Sequence, residues 1–132
     1  MASSSIRYTA NTGAVNISTA NSNLNGTGSM GTVLTGALDG TLIKSVTIKA
    51  AGSTSEGMVR LFINPGGGPN IFLFKEIPIP ASVQTAEQPA VVVTIRCNFT
   101  LNSGDLLKAS TQVADSFNVI ADALDFESCD CA

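Results

Sequence analysis

The segment Gly26-Thr27-Gly28-Ser29-Met30-Gly31 has the spacing GxGxxG. In a dinucleotide-binding fold that spacing lets backbone approach a pyrophosphate at a helix N-terminus. The chemistry requires a strand before the glycines and a helix opening at them. Here the polar run 21–25 precedes them and a short β-prone segment follows, so these glycines are expected to serve a loop. Gly66-Gly67-Gly68 lacks the Lys-Ser/Thr of a P-loop and reads as a turn. Paired carboxylates could hydrolyse a glycosidic bond, but Asp122 and Asp125 have opposite strand parities, and Glu56 and Glu87 fall in turns. One Tyr and no Trp supply little stacking surface for a sugar. Asp115, Asp122, Asp125 and Glu127 could offer oxygen ligands to Ca²⁺, yet they lack EF-hand spacing.

Other chemistries are excluded more simply. The chain has no His, which removes Ser-His-Asp and Cys-His catalysis and His-ligated metals. Cys97 alternates with apolar neighbours and reads as a small buried hydrophobe. Cys129 and Cys131 form a Cys-Asp-Cys tail. Without further Cys or His they cannot complete a four-ligand zinc site; free thiols are expected, with an intersubunit disulfide as the alternative. Asn16, Asn25 and Asn98 begin formal glycosylation acceptors, expected to be unused because no signal peptide is apparent. No catalytic residue, metal site or cofactor is expected, and the chain does not read as an enzyme.

Composition points the same way. Charged residues make up 13% of 132 and hydrophobic residues 44%, too little charge and too much apolar content for a disordered chain. A net charge of −3 argues against a nucleic-acid partner. No apolar run is long enough for a spanning helix, so no membrane partner is expected. Residues 1–108 hold seven cations and five acids, a balance of +2. After Lys108 there are five acids and no cation, which restores −3. Such an acidic end usually forms a solvated face.

The elements that must position these residues are strands, because the dominant hydrophobic period is two. In 91–101, Val91, Val93, Ile95, Cys97, Phe99 and Leu101 share one face and are expected to pack on the core. Further strands are expected at 14–19, 31–36, 41–50, 58–64, 70–77, 106–111 and 117–126, with a short helix as the alternative at 116–124. The run 65–69 (PGGGP) should close a hairpin between two of them. Pro78, Pro80 and Pro89 point to an edge strand or a crossover loop. The expected fold is all-β: a single antiparallel β-sandwich, jelly-roll-like, of about eight strands. The expected layout is an extended N-terminal arm at 1–13, the sandwich at 14–126, and an acidic Cys-containing tail at 127–132. Residues 2–5 suit a floppy arm that could order against a neighbouring subunit.

One strand breaks the alternation. Ile71-Phe72-Leu73-Phe74 is apolar on both faces, so its second face must be covered by an arm or loop of the same chain, or by another subunit. Phe72 and Phe74 share parity and would be the anchors of such a contact. Ile71 from the same run, with Arg7 and Tyr8 from the arm, completes the set of candidate subunit contacts.

The segments 40–49 (GTLIKSVTIK), 57–63 (GMVRLFI), 73–80 (LFKEIPIP), 107–112 (LKASTQ) and 117–121 (FNVIA) resemble small β-rich structural proteins of tailed bacteriophages, of the head decoration or cement type. The likeness covers about residues 36–126. It implies a virion subunit, made in the host cytoplasm, that sits on the capsid exterior and stabilises the assembled shell. The implied partners are the major capsid protein and copies of itself, as a homotrimer. The family supplies no catalytic motif. Two other roles fit the same residues: a host-surface or carbohydrate-binding module displayed on the virion, and a tail or baseplate adaptor.

Overall fold

The computed structural model describes residues 4–130. Eight strands follow the alternating segments: β1 (Ser4–Ile17), β2 (Gly31–Thr35), β3 (Thr41–Ala50), β4 (Gly57–Asn64), β5 (Phe72–Ile79), β6 (Val92–Leu101), β7 (Leu106–Thr111) and β8 (Phe117–Asp130). They form two four-stranded sheets, ordered β1-β8-β3-β6 and β2-β7-β4-β5. All strand pairs are antiparallel. The pairing has a simple rule: β1 with β8, β2 with β7, β3 with β6, β4 with β5. One long hairpin has been folded over on itself, and the pairs β3–β8 and β4–β7 lock the fold. This is the jelly-roll form of the β-sandwich. Within the segment 116–124, residues 117–124 belong to strand β8, not to a helix.

The core lies between the sheets. Ile43, Val46, Ile48, Val59, Leu61, Leu101, Leu107, Phe117 and Val119 are essentially inaccessible. Burying each large side chain stabilises by about 1.5–3 kcal/mol before conformational entropy is counted. β5 is an edge strand, where Pro78 is tolerated because its missing N–H breaks no interior ladder. The PGGGP run closes the β4–β5 hairpin with one 3₁₀ turn over Pro65–Gly67. With its nitrogen turned toward this loop, the buried Asn64 amide donates to the Asn70 and Gly68 carbonyls at 3.0 and 2.9 Å.

Two features differ from the sequence expectation. Residues 4–13, expected as an extended arm, form the first part of β1 and pair residue by residue with β8, from Ser4↔Asp130 onward. Their side chains show little alternation of their own; β8 provides the template. β8 in turn runs through Glu127, where a separate tail was expected. The side chain of Cys129, and the whole of Cys131, lie outside the described residues, as do residues 2 and 3 of the arm. The second difference concerns β6. The expected parity holds, but Val93, Ile95, Cys97 and Phe99 are only half-buried, while Leu101 is fully buried. Parity fixes direction; the half-exposure arises because β6 is the outermost strand of its sheet.

A second, smaller buried layer lies on the outer face of the β2-β7-β4-β5 sheet. Arg60, Phe62 and Asn64 have the opposite parity to the core residues Val59 and Leu61, yet all three are buried, as is Ser110 opposite Arg60. The β1–β2 connection, 18–30, accounts for this cover. It meets β7 through the Asn21 N–H to Thr111 carbonyl bond (2.7 Å). Its Gly26 lies against Ile71, just before β5. Since β4 lies between β7 and β5, the loop crosses it. Gly26 has φ +83°, and a Cβ there would stand 2.5 Å from the Ile71 Cβ, so both backbone and space demand glycine. The buried Asn21 amide organises the loop by donating to the Thr27 and Ser29 carbonyls.

Candidate functional site

Gly26 and Gly28 of the GxGxxG segment belong to this covering loop and Gly31 opens β2, so a strand and not a helix follows them. The acids of the C-terminal quarter do not converge. The Asp115 carboxylate accepts from the Ser55 N–H at 2.7 Å, and Asp122 lies 3.7 Å from Lys44. Asp125 accepts from the Thr41 hydroxyl (2.7 Å) and the Asn11 amide (3.0 Å), tying β3, β8 and β1 together. Among the described residues, no group of three or more His, Cys, Asp or Glu could hold a metal ion. An open groove of about 760 Å³ beside the start of β4 is lined by Met58, Pro78, Pro80, Ala81 and Gln112 among others, with no aromatic ring.

The surface that stands out is one edge of the sandwich. At the opposite edge β1 and β2 pack closely. There a Cβ on Gly13 would collide with the Val33 carbonyl, and one on Gly31 would come within 2.7 Å of Val15. Glycine at these positions lets the two sheets pinch shut. At the β5–β6 edge the sheets approach less closely. The inward row Val93, Ile95, Cys97 and Phe99 of β6 is left half-covered there.

β5 explains why. Its register against β4 shifts between Leu61 and Phe62: Leu61 faces Lys75 and Phe62 faces Leu73, leaving Phe74 as an extra residue. This β-bulge turns Phe74 onto Phe99 of β6, ring centroids 4.7 Å apart. Lys75 takes the inward parity of Ile77 and Ile79 but stands exposed at the rim, its Nζ 5.5 Å from the centre of the Phe74 ring. Burial raises the Cys97 thiol above its ordinary pKa, and the Lys75 ammonium opposes that shift.

The doubly apolar run is therefore covered in part by its own chain. Ile71 lies against Gly26 of the crossing loop, and Phe74 lies against Phe99. Phe72 remains 58% exposed and Leu73 37%. Arg7 and Tyr8 stand on the far side of the molecule, on β1. Tyr8 is exposed and makes an edge contact with Phe126 of β8 at 5.4 Å. The five candidate contact residues thus fall into two groups, Arg7 with Tyr8 and Ile71 with Phe72 and Phe74, and the structure does not bring the groups together within one chain. Sequence reasoning missed Lys75 and Arg96 as members of the open edge. Their only signal was a cation on each of two strands whose adjacency depends on the fold.

No family model matches the chain, and no curated protein matches it. Among solved structures it is similar to a pentameric capsid protein isolated from metagenomic phage sequences, with a TM-score of 0.41 and 13% identity. The match covers 87% of this chain and 61% of that one, so the chain spans less than two thirds of that protein's length.

Proposed function

We propose that this chain is a structural subunit of a tailed-phage particle, which binds the assembled capsid from outside and stabilises it as a decoration or cement protein. One observation carries the reading: the roll is pinched shut at the β1–β2 edge and left open at β5–β6, where Phe72 and Leu73 are exposed above a half-covered apolar row. An apolar edge of this kind is buried by a neighbour more readily than it is left in water. The sequence resemblance to phage head proteins supplies the kind of neighbour: the major capsid protein and further copies of this chain, as a homotrimer. The mechanism is mechanical. Subunits bridge neighbouring shell proteins and add contacts that resist internal pressure. The low content of charge suits a surface that is covered once assembled. A sugar-binding role draws no support from the groove beside β4, whose lining has no aromatic ring.

The test compares particles with and without this subunit. Particles lacking it should lose their DNA at a lower temperature than complete ones, and purified subunit added back should restore the difference. Equal shell integrity in the two preparations would sink the cement role.

A further inference from the structure

The run Asn25-Gly26-Thr27 carries a chemistry that the packing of its loop does not require. Asn25-Gly26 is the sole Asn-Gly pair in the chain. A five-membered ring can close between the Asn25 Cγ and the backbone nitrogen of the next residue. Closure needs room around that nitrogen, and glycine, with no Cβ, provides it. Every other Asn is followed by a residue with a side chain.

The surroundings of the Asn25 carboxamide favour this ring. Its Oδ1 accepts from two donors of Thr27, the backbone N–H at 3.2 Å and the hydroxyl at 2.6 Å. Both donors face the oxygen on which negative charge develops as the nitrogen adds to Cγ. Donors already in place stabilise such an oxyanion. Thr27 is itself held. Its carbonyl accepts from the Asn21 amide at 3.0 Å, and its hydroxyl accepts from the Asn23 amide at 3.0 Å. Asn25 and Thr27 are both exposed, so water and hydroxide reach them.

We propose that Asn25 is a site of spontaneous deamidation, assisted by Thr27, and that the reaction loosens the 18–30 loop. Hydroxide takes the Gly26 amide proton. The electron pair of that nitrogen forms the bond to Cγ, and the C=O pair moves onto Oδ1. As the carbonyl re-forms, the Cγ–Nδ2 bond breaks, and the nitrogen takes a proton from water and leaves as ammonia. A second water opens the resulting succinimide. Attack at Cγ gives aspartate. Attack at the Asn25 backbone carbonyl gives isoaspartate, whose main chain is one atom longer. The loop has no slack for that atom. Just after it, Gly26 is pressed against Ile71, and a Cβ on Gly28 would stand 2.7 Å from the Asn21 amide. The isoaspartate form is therefore expected to lift from β4 and uncover Arg60 and Phe62, which are buried in the native fold.

The test incubates the full-length protein at pH 8.5 and 37 °C. Mass spectrometry follows the gain of one mass unit per deamidation, and peptide fragmentation locates it. Asn25 should react ahead of every other Asn, and isoaspartyl methyltransferase should label the product. In the folded protein Thr27→Val, which removes the hydroxyl, should slow the reaction several-fold, and Thr27→Ser, which restores it, should react like wild type. In urea, where the loop is unmade, these two variants should react alike. Thermolysin, which can cut before the exposed Leu24, reads the loop. The isoaspartate fraction should be cut within 18–30. Asn25→Gln would need a six-membered ring, which closes far more slowly; it should keep both its mass and its resistance to the protease. Asn25 reacting no faster than the other Asn residues, folded Thr27→Val reacting as fast as Thr27→Ser, or an isoaspartate fraction that resists thermolysin like fresh protein would each overturn the proposal.

Discussion

Replacing Phe62 with Ala probes the least expected packing in the molecule. Phe62 has outward parity on β4 and zero exposure, under the 18–30 loop. Phe72, ten residues on, is 58% exposed at the open edge. Removing a fully buried Phe side chain costs about 3–5 kcal/mol. A domain of this size is expected to have a total stability of roughly 7–20 kcal/mol, so the loss is a large share of it. Expressed as a melting shift, it corresponds to a drop of roughly 10–20 °C. Phe72→Ala removes a side chain that already meets water and should cost under about 1 kcal/mol in the isolated subunit. Urea titrations of both variants, followed by far-ultraviolet circular dichroism at a concentration where the chain is monomeric, give the comparison. Limited proteolysis adds a local readout, since Phe62→Ala should expose 18–30 to cleavage before the sheets unfold. Equal midpoints for the two variants, or a Phe62→Ala variant whose loop resists protease like wild type, would refute the account of the outer layer.

Other perturbations test neighbouring parts of the structure. Gly26→Ala forces a left-handed φ and an overlap with Ile71; it should cost about 1–3 kcal/mol in the same titration. The Ser110 hydroxyl is buried and has no hydrogen-bond partner among the described residues, so Ser110→Ala should be neutral or stabilising by up to about 1 kcal/mol; a clear loss would mean that the hydroxyl is satisfied. Asp125→Ala leaves the buried Thr41 hydroxyl without its acceptor and should lower stability by about 1–3 kcal/mol, measurable by thermal melting. For Cys97, burial raises the thiol pKa and Lys75 opposes the rise. A raised folded-state pKa favours the thiol, so its contribution to stability is present below the ordinary thiol pKa and lost as pH rises through the folded value. In a Cys129→Ser, Cys131→Ser background, alkylation of Cys97 at pH 8 should be slower than that of a free cysteine, and Lys75→Met should slow it further.

Much of the fold was legible because the period of two is a local property. Val91 through Leu101 alternate cleanly, and the strand forms where the pattern places it. The Gly-Pro run of 65–69 marked its hairpin for the same reason. What could not be read is set by distant chain. Nothing in 4–13 announces a strand, since its pairing partner lies at the other end of the sequence. The half-exposure of Ile95 and Phe99 depends on how far the second sheet reaches, which parity does not encode. The double-sided apolar run at 71–74 did signal a surface needing cover. That cover proves to be divided between a loop, a ring contact and an exposed remainder. The bulge that divides it has no signature within 72–79, so Phe74 could not be separated from Phe72.

The nesting of the strands also bears on how the molecule is made. β4 and β5 are joined by a short turn and can pair as soon as both exist, whereas Ile17 must wait for Phe117 and Ser4 for Asp130. Such distant pairings are slow to form. During synthesis the earliest strand is therefore the last to find its partner, and until β8 emerges β1 is an unpaired edge held by no ladder. Folding that proceeds outward from the inner hairpin would complete the β1–β8 pairing in its final step, after the rest of the roll is in place.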